Sequence, residues 1–287
     1  MFHVKHREGI PDPRDPLCYA PRFRAQKEPR FEPMTRIVAI ANQKGGVGKT
    51  TTAINVSSSV AAAEKRALVV DLDPQANLTS GLGIDPGGLS GTIYRGLVEG
   101  APAESLIRDT QLTTLKVIPS ERNLTGAELE LVDQPRREFR LRDFLAPIAS
   151  AYDYVFIDCP PSLGLLTLNA LVAADSVLIP LQCEFFALAG VSELLSTVSR
   201  VRASFNPRLR IEGIVFTMVD ERTNLTTQVM DDVRQNFPGL VYRSIIPRNV
   251  RLAEAPSFGK PILLYDVRSR GAEAYLSLTR EILAHEA

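Results

Sequence analysis

From Arg36 onward, short apolar, β-like runs alternate with longer segments whose apolar residues recur at helical spacing. The runs at 37–41, 67–72, 115–119, 154–158, 176–181, 212–219 and 241–246 predict strands. The segments near 50–64, 121–132, 137–150, 162–174, 187–204, 224–236 and 271–285 predict helices. Strands this uniformly apolar are covered on both faces, as in a mainly parallel sheet. The expected fold class is therefore α/β, a doubly wound, mainly parallel sheet flanked by helices on both faces, with ligands bound at the carboxyl ends of its strands. Residues 34–287 read as a single domain without internal repeats. Residues 1–33 hold several prolines and charges of both signs with no sustained apolar period, which reads as a disordered arm. Met34 directly before the first strand is an alternative start.

Composition narrows this picture in two places. At 287 residues, with 45% hydrophobic and 23% charged, the chain can bury one substantial core. Its net charge is zero, so no global attraction to nucleic acid or membrane is implied, yet Arg200 to Arg270 carries 12 Lys/Arg against 7 Asp/Glu. Cys18, Cys159 and Cys183 have no metal-ligand spacing, and no secretory or membrane-spanning segment is visible, so a reduced, cytoplasmic protein is expected. His3, His6 and Cys18 read as scattered polar residues rather than a metal site.

The chemistry begins at residues 42–52, NQKGGVGKTTT, between the first predicted strand and the first predicted helix. This strand–loop–helix context is what a phosphate-binding loop requires. Gly45, Gly46 and Gly48 let backbone N–H groups turn toward a polyphosphate, and the helix N-terminus adds its dipole. Gln43, Lys44, Val47 and Thr51 complete the nucleotide-contacting stretch. Lys49 would reach the β- and γ-phosphates and the Thr50 hydroxyl would ligate Mg²⁺. The general pattern places a glycine six residues before that lysine, where this chain has Gln43; a second cation, Lys44, follows it. The loop is of the deviant kind.

Two strands end in acids. ALVVDLDPQ places Asp71 and Asp73 on one side of an extended chain, and YDYVFIDCPPS closes on Asp158. Beside a phosphate loop, Asp158 is placed to hold Mg²⁺, directly or through water, and Asp73 to orient or polarise an attacking water and to stand with Thr50 and Asp158 as a metal candidate, with Asp71 a buttress of the loop.

KGGVGKTT, DLDPQ and IDCPPSLG in this order, followed by TNLTTQV, IIPRNVRLAEAPSFGKPI and YDVRSRGAEAY, resemble the ParA/Soj branch of the deviant Walker-type ATPases, over residues 35–287. The resemblance implies ATP and Mg²⁺ as cofactors and slow, partner-stimulated hydrolysis. It implies a homodimer closed over two ATP molecules, in which Lys44 crosses to the partner's phosphates. It also implies that Asp73 is required for hydrolysis and that Pro247 and Asn249 lie near the adenine. The implied partners are non-specific DNA, contacted at Arg222 and Arg251, and a ParB-like centromere-binding protein. Arg243, Arg248 and Lys260 are weaker DNA candidates from the basic C-terminal bias. The function expected is chromosome or plasmid partitioning in a cytoplasmic, nucleoid-associated protein.

Rival readings within the same class ask for other residues. A MinD-like membrane-associated cell-division ATPase would end in a basic amphipathic helix, whereas this chain ends YLSLTREILAHEA. A nitrogenase-reductase-like redox protein would need a cysteine pair to bridge a cluster, a tyrosine kinase would need a tail tyrosine cluster, and PRNVRLAEAP argues against an amidoligase. Thirty-three residues rich in Pro and charge are too few for the helix-turn-helix domain that autoregulating plasmid partition proteins carry ahead of the ATPase.

Overall fold

The computed structural model describes residues 35–220 and 222–284. The readings made for residues 1–33 and Met34, with His3, His6 and Cys18, lie outside the described residues. Among the described residues eight strands form one sheet: β1 (Arg36–Ile40), β2 (Ala67–Asp71), β3 (Arg108–Asp109), β4 (Leu115–Ile118), β5 (Tyr154–Asp158), β6 (Ser176–Gln182), β7 (Arg210–Val219) and β8 (Val241–Pro247). Their order is β3-β4-β2-β5-β1-β6-β7-β8, parallel throughout except for the short edge strand β3. The helices are α1 (Lys49–Ala62), α2 (Asn77–Gly81), α3 (Ala103–Leu106), α4 (Leu124–Leu131), α5 (Arg140–Leu145), α6 (Leu165–Ala173), α7 (Ala187–Ser204), α8 (Asn224–Asn236), α9 (Val250–Glu254), α10 (Ile262–Tyr265) and α11 (Arg270–Ala284).

Successive strand residues feed opposite faces, which is why the central runs in β1, β2 and β5 are apolar at successive positions. Ala39, Val70, Val155, Ile157 and Ile179 pack with α4, α5, α6, α7 and α8 through Leu131, Leu145, Leu166, Leu194 and Val233. Val38, Ile40, Val69, Phe156 and Leu178 pack on the other face with α1, α2, α9 and α11 through Ile54, Leu78, Leu252 and Tyr275. Helix α1 is buried almost all round, and Ser57, Ser58 and Ser59 are small enough to admit it between sheet and α11. The buried Thr52 and Tyr275 hydroxyls meet at 3.1 Å and tie those two helices together.

The expected helix at 137–150 is shorter than its apolar pattern: α5 ends at Leu145, two residues before Pro147, which has no N–H to continue the helical hydrogen-bond ladder. Likewise α6 starts at Leu165 rather than 162, because Gly164 is extended (φ −78°, ψ −169°) after Pro160 and Pro161. The connection leaving β1 runs to β2 on one side and that leaving β5 crosses to β6 on the other, so a crevice opens at the carboxyl ends of these strands.

Candidate functional site

The loop joining β1 to α1 fills that crevice. Gly46 and Gly48 take positive φ (74° and 84°), which lets the chain curl before α1 begins. Gly48 is the N-cap of α1 and supplies no capping side chain, and the first turn carries no acid. The orphan N–H groups of the turn are thus left to an external anion. Two contacts hold the loop from neighbouring strands: the Thr217 hydroxyl donates to the Val47 carbonyl at 2.8 Å, and Asn42 donates to the Pro180 carbonyl at 2.8 Å while accepting from the Lys44 N–H at 3.0 Å.

The two lysines have opposite environments. Lys49 is buried, and its ammonium donates to the Lys44 carbonyl at 3.0 Å. Desolvation lowers its pKa, against the raising influence of Asp158, Cys159 and Asp73. Lys44 lies at the exposed edge of the loop, where its ammonium pairs with Glu184; neighbouring Gln43 donates to Glu193. Neither carboxylate was foreseen from the sequence.

Asp158 and Asp71 are register partners at the tips of β5 and β2, both fully buried. Asp71 accepts from the Thr79 N–H (2.9 Å), the Thr79 hydroxyl (2.6 Å) and the Asp73 N–H (3.2 Å). It therefore braces the turn that carries Asp73. Burial nevertheless pushes its pKa up to about 6. Asp158 is pushed well above the ordinary carboxylate range, first by desolvation and then by Asp71. Neither of its oxygens has a partner at hydrogen-bonding geometry, although the Thr50 side chain and Lys49 act in the opposite direction. A buried carboxylate with orphaned oxygens beside Thr50 is the donor set a magnesium ion would complete. Among the described residues no group of three or more His, Cys, Asp or Glu converges, so such an ion would draw its remaining ligands from phosphate and water. Asp73 is nearly buried at the same rim and accepts from the Gln75 N–H at 2.9 Å.

Beyond the loop, the ends of β7 and β8 open into a groove of 880 Å³ lined by Val219, Asp220, Arg222, Pro247, Arg248 and Arg270 among others. Pro247 is thus on the groove wall. Asn249 is not among the lining residues; its side chain caps α9 by accepting from the Arg251 N–H at 2.8 Å. Arg222, Arg243, Arg248, Arg251 and Lys260 are all exposed. Arg222 pairs with Asp220, whose carboxyl it holds down at about 2, and Arg251 pairs with Glu254 at 3.0 Å and Asp266 at 3.6 Å. Arg222 and Arg248 share the groove, whereas Arg251 stands outside its lining on α9. Cys159 is buried with its thiol pushed up by desolvation, and Cys183 is half-buried with its thiol pushed up to about 11.

Comparison with known proteins fits this geometry. Residues 35–211 match a family model described as an AAA domain. A chromosome partitioning protein ParA of Myxococcus xanthus is 58% identical over 251 residues, covering 88% of this chain and 89% of that protein. The sporulation initiation inhibitor protein Soj of Bacillus subtilis is 54% identical, covering 88% of this chain and 100% of its own. The chain belongs to the ParA/Soj family. Among solved structures, one described as a cobyrinic acid a,c-diamide synthase of Mycobacterium smegmatis with bound ADP and magnesium superposes with a TM-score of 0.78 at 38% identity, covering 88% of this chain and 95% of that one. The ParA/Soj assignment accounts for the deviant loop, the doubly wound sheet and the acidic strand tips together. No helix among the described residues is long and apolar enough to cross a membrane.

Proposed function

We propose that this chain is an ATP-dependent dimerising switch that binds DNA without sequence preference and hydrolyses ATP to drive chromosome or plasmid partitioning. The observation that carries the reading is the pairing of a buried Lys49 and a partnerless buried Asp158 with a second, exposed lysine at the loop's edge. The first two make a site for a magnesium nucleotide. The third is exposed at the loop's edge on an ion pair with Glu184, open to a second protomer.

In this reading the Gly45–Thr51 backbone and Lys49 hold the phosphates, and Thr50 and Asp158 hold Mg²⁺. Bound magnesium offsets charge on the β- and γ-phosphate oxygens. Asp73, fixed by Asp71, orients the attacking water, and Val219, Asp220 and Pro247 offer a wall for the base. Lys44 leaves Glu184 for the partner's phosphates, which makes dimerisation conditional on ATP. Pairing two basic surfaces then raises DNA affinity by avidity. A centromere-bound ParB-like protein would stimulate hydrolysis and release the dimer from the nucleoid.

The test is gel filtration and DNA binding, side by side, with ADP, ATP and a slowly hydrolysed ATP analogue. Dimerisation and DNA binding that both require ATP or the analogue are expected. Binding to anionic vesicles without DNA binding would favour a MinD-like role, and nucleotide turnover that requires an amide donor would favour the biosynthetic role named for the Mycobacterium structure.

A further inference from the structure

The segment that follows Asp158 is braced from outside by a residue that none of the chemistry above uses. Residues 159–164 run from the tip of β5 to the start of α6, and Pro161 faces the phosphate loop closely enough that a Cβ on Gly45 would meet its Cβ at 3.9 Å. Two adjacent prolines make this segment stiff. One end is fixed by the β-ladder at Asp158. At the other, the N-cap of α6 is Gly164, which has no side chain to satisfy the first-turn N–H groups. Glu128, reaching across from α4, supplies what the glycine cannot: its Oε1 accepts from the Leu166 N–H at 3.1 Å. Gly164 is what admits it, since a Cβ there would fall 2.9 Å from the Glu128 carboxyl carbon and closer still to Oε1. Helix α4 itself is anchored in the core by Leu124, Ala127 and Leu131, so the brace stands on a rigid support.

We infer that Glu128 is a positioning residue for nucleotide hydrolysis, capping α6 from α4 and thereby setting how close Pro161 stands to the phosphate loop at Gly45. This rests on the ATPase reading given above. A stiff segment fixed at both ends transmits a shift of the first turn of α6 directly to the wall of the phosphate cradle. Misplacement on the order of 1 Å costs up to about 100-fold in rate when the reacting groups are otherwise intact.

The experiment compares Glu128→Ala, Glu128→Gln and Gly164→Ala with the unaltered full chain, measuring kcat and KM for ATP, Tm, and hydrogen exchange of the nucleotide-free protein over residues 159–168. The alanine at 164 crowds the carboxylate out and should reproduce Glu128→Ala, while glutamine keeps an oxygen for the Leu166 N–H. The expected result is a kcat loss on the order of tenfold in both alanine variants. KM and Tm should stay near the unaltered values, exchange over 159–168 should quicken, and glutamine should restore most of the rate. A kcat within about twofold of the unaltered chain in Glu128→Ala would overturn the inference. So would a loss that tracks a fall in Tm and that glutamine does not restore. If the unaltered chain hydrolyses no ATP, the ATPase reading fails separately, and unchanged exchange in both alanine variants then removes the brace as well.

Discussion

In the proposed switch, Lys44 exchanges Glu184 for the second protomer's nucleotide. Its ion pair with Glu184 is exposed on both sides, and exposed pairs contribute less than about 1 kcal/mol, so nucleotide in a second protomer can draw the lysine away at little cost. Lys44→Ala should therefore leave nucleotide binding near the original affinity and abolish ATP-dependent dimerisation, read by light scattering with the slowly hydrolysed analogue; a dimer of unaltered affinity would remove the cross-dimer role. Asp73→Ala should lower turnover by about 10²-fold or more while the ATP-bound dimer persists on DNA, seen as release slowed to the same degree. Asp71 titrates where it can be observed. Its folded pKa is raised to about 6 from 3.8, so its contribution to stability is fully present below about pH 4 and is lost as pH rises through 6. The nucleotide-free protein in chelator should lose Tm as pH rises from about 4 to 6, and Asp71→Asn should flatten that loss.

At the scale of elements, what was legible and what was not divides by sequence distance. Strands buried on both faces announce themselves, because their interior positions are apolar; β2 and β5 show this in ALVV and YVFI, each closing on an aspartate at the strand tip. The phosphate loop is legible because its glycines, lysine and threonine are contiguous. Short helices such as α9 and α10, at five and four residues, carry too few turns to display a period. The partners of Lys44 and Gln43 lie 140 and 150 residues away, and nothing local in the chain marks them. The same distance hid a buried network at the opposite end of the sheet. There Arg36 of β1 donates to both Glu212 oxygens of β7 at 2.6 Å, Ser176 of β6 donates to the same carboxylate at 2.7 Å, and Tyr242 of β8 donates to it at 3.1 Å. Four adjacent strands share one carboxylate. Glu212→Ala strands the Arg36 charge and should cost about 3 kcal/mol, lowering Tm by about 6–12 °C in thermal unfolding; a Tm within about 2 °C of the original would show that water replaces the carboxylate.

At the scale of the whole molecule, the proposed function requires a chain of zero net charge to hold a polyanion. The charge is unevenly placed: Arg222, Arg243, Arg248, Arg251 and Lys260 are exposed within a stretch that carries 12 basic against 7 acidic residues, and the rest of the chain is correspondingly acidic. Arg222 and Arg251 each sit beside carboxylates, which weakens a single protomer's grip on phosphate. Yielding such exposed pairs costs little, so two protomers together can exchange them for phosphate contacts while one alone gains too little to stay bound. DNA affinity should then fall steeply with salt, and the slope of log affinity against log salt counts the phosphates neutralised. Arg251→Ala should leave the ATP-bound dimer intact, weaken binding to any duplex sequence alike, and reduce that slope by about 0.9 for each phosphate no longer neutralised, hence about 2 per dimer. The measurement is a salt titration of binding with the slowly hydrolysed analogue on two unrelated duplexes. An unchanged slope would move the DNA surface away from α9, toward the Arg222 and Arg248 groove.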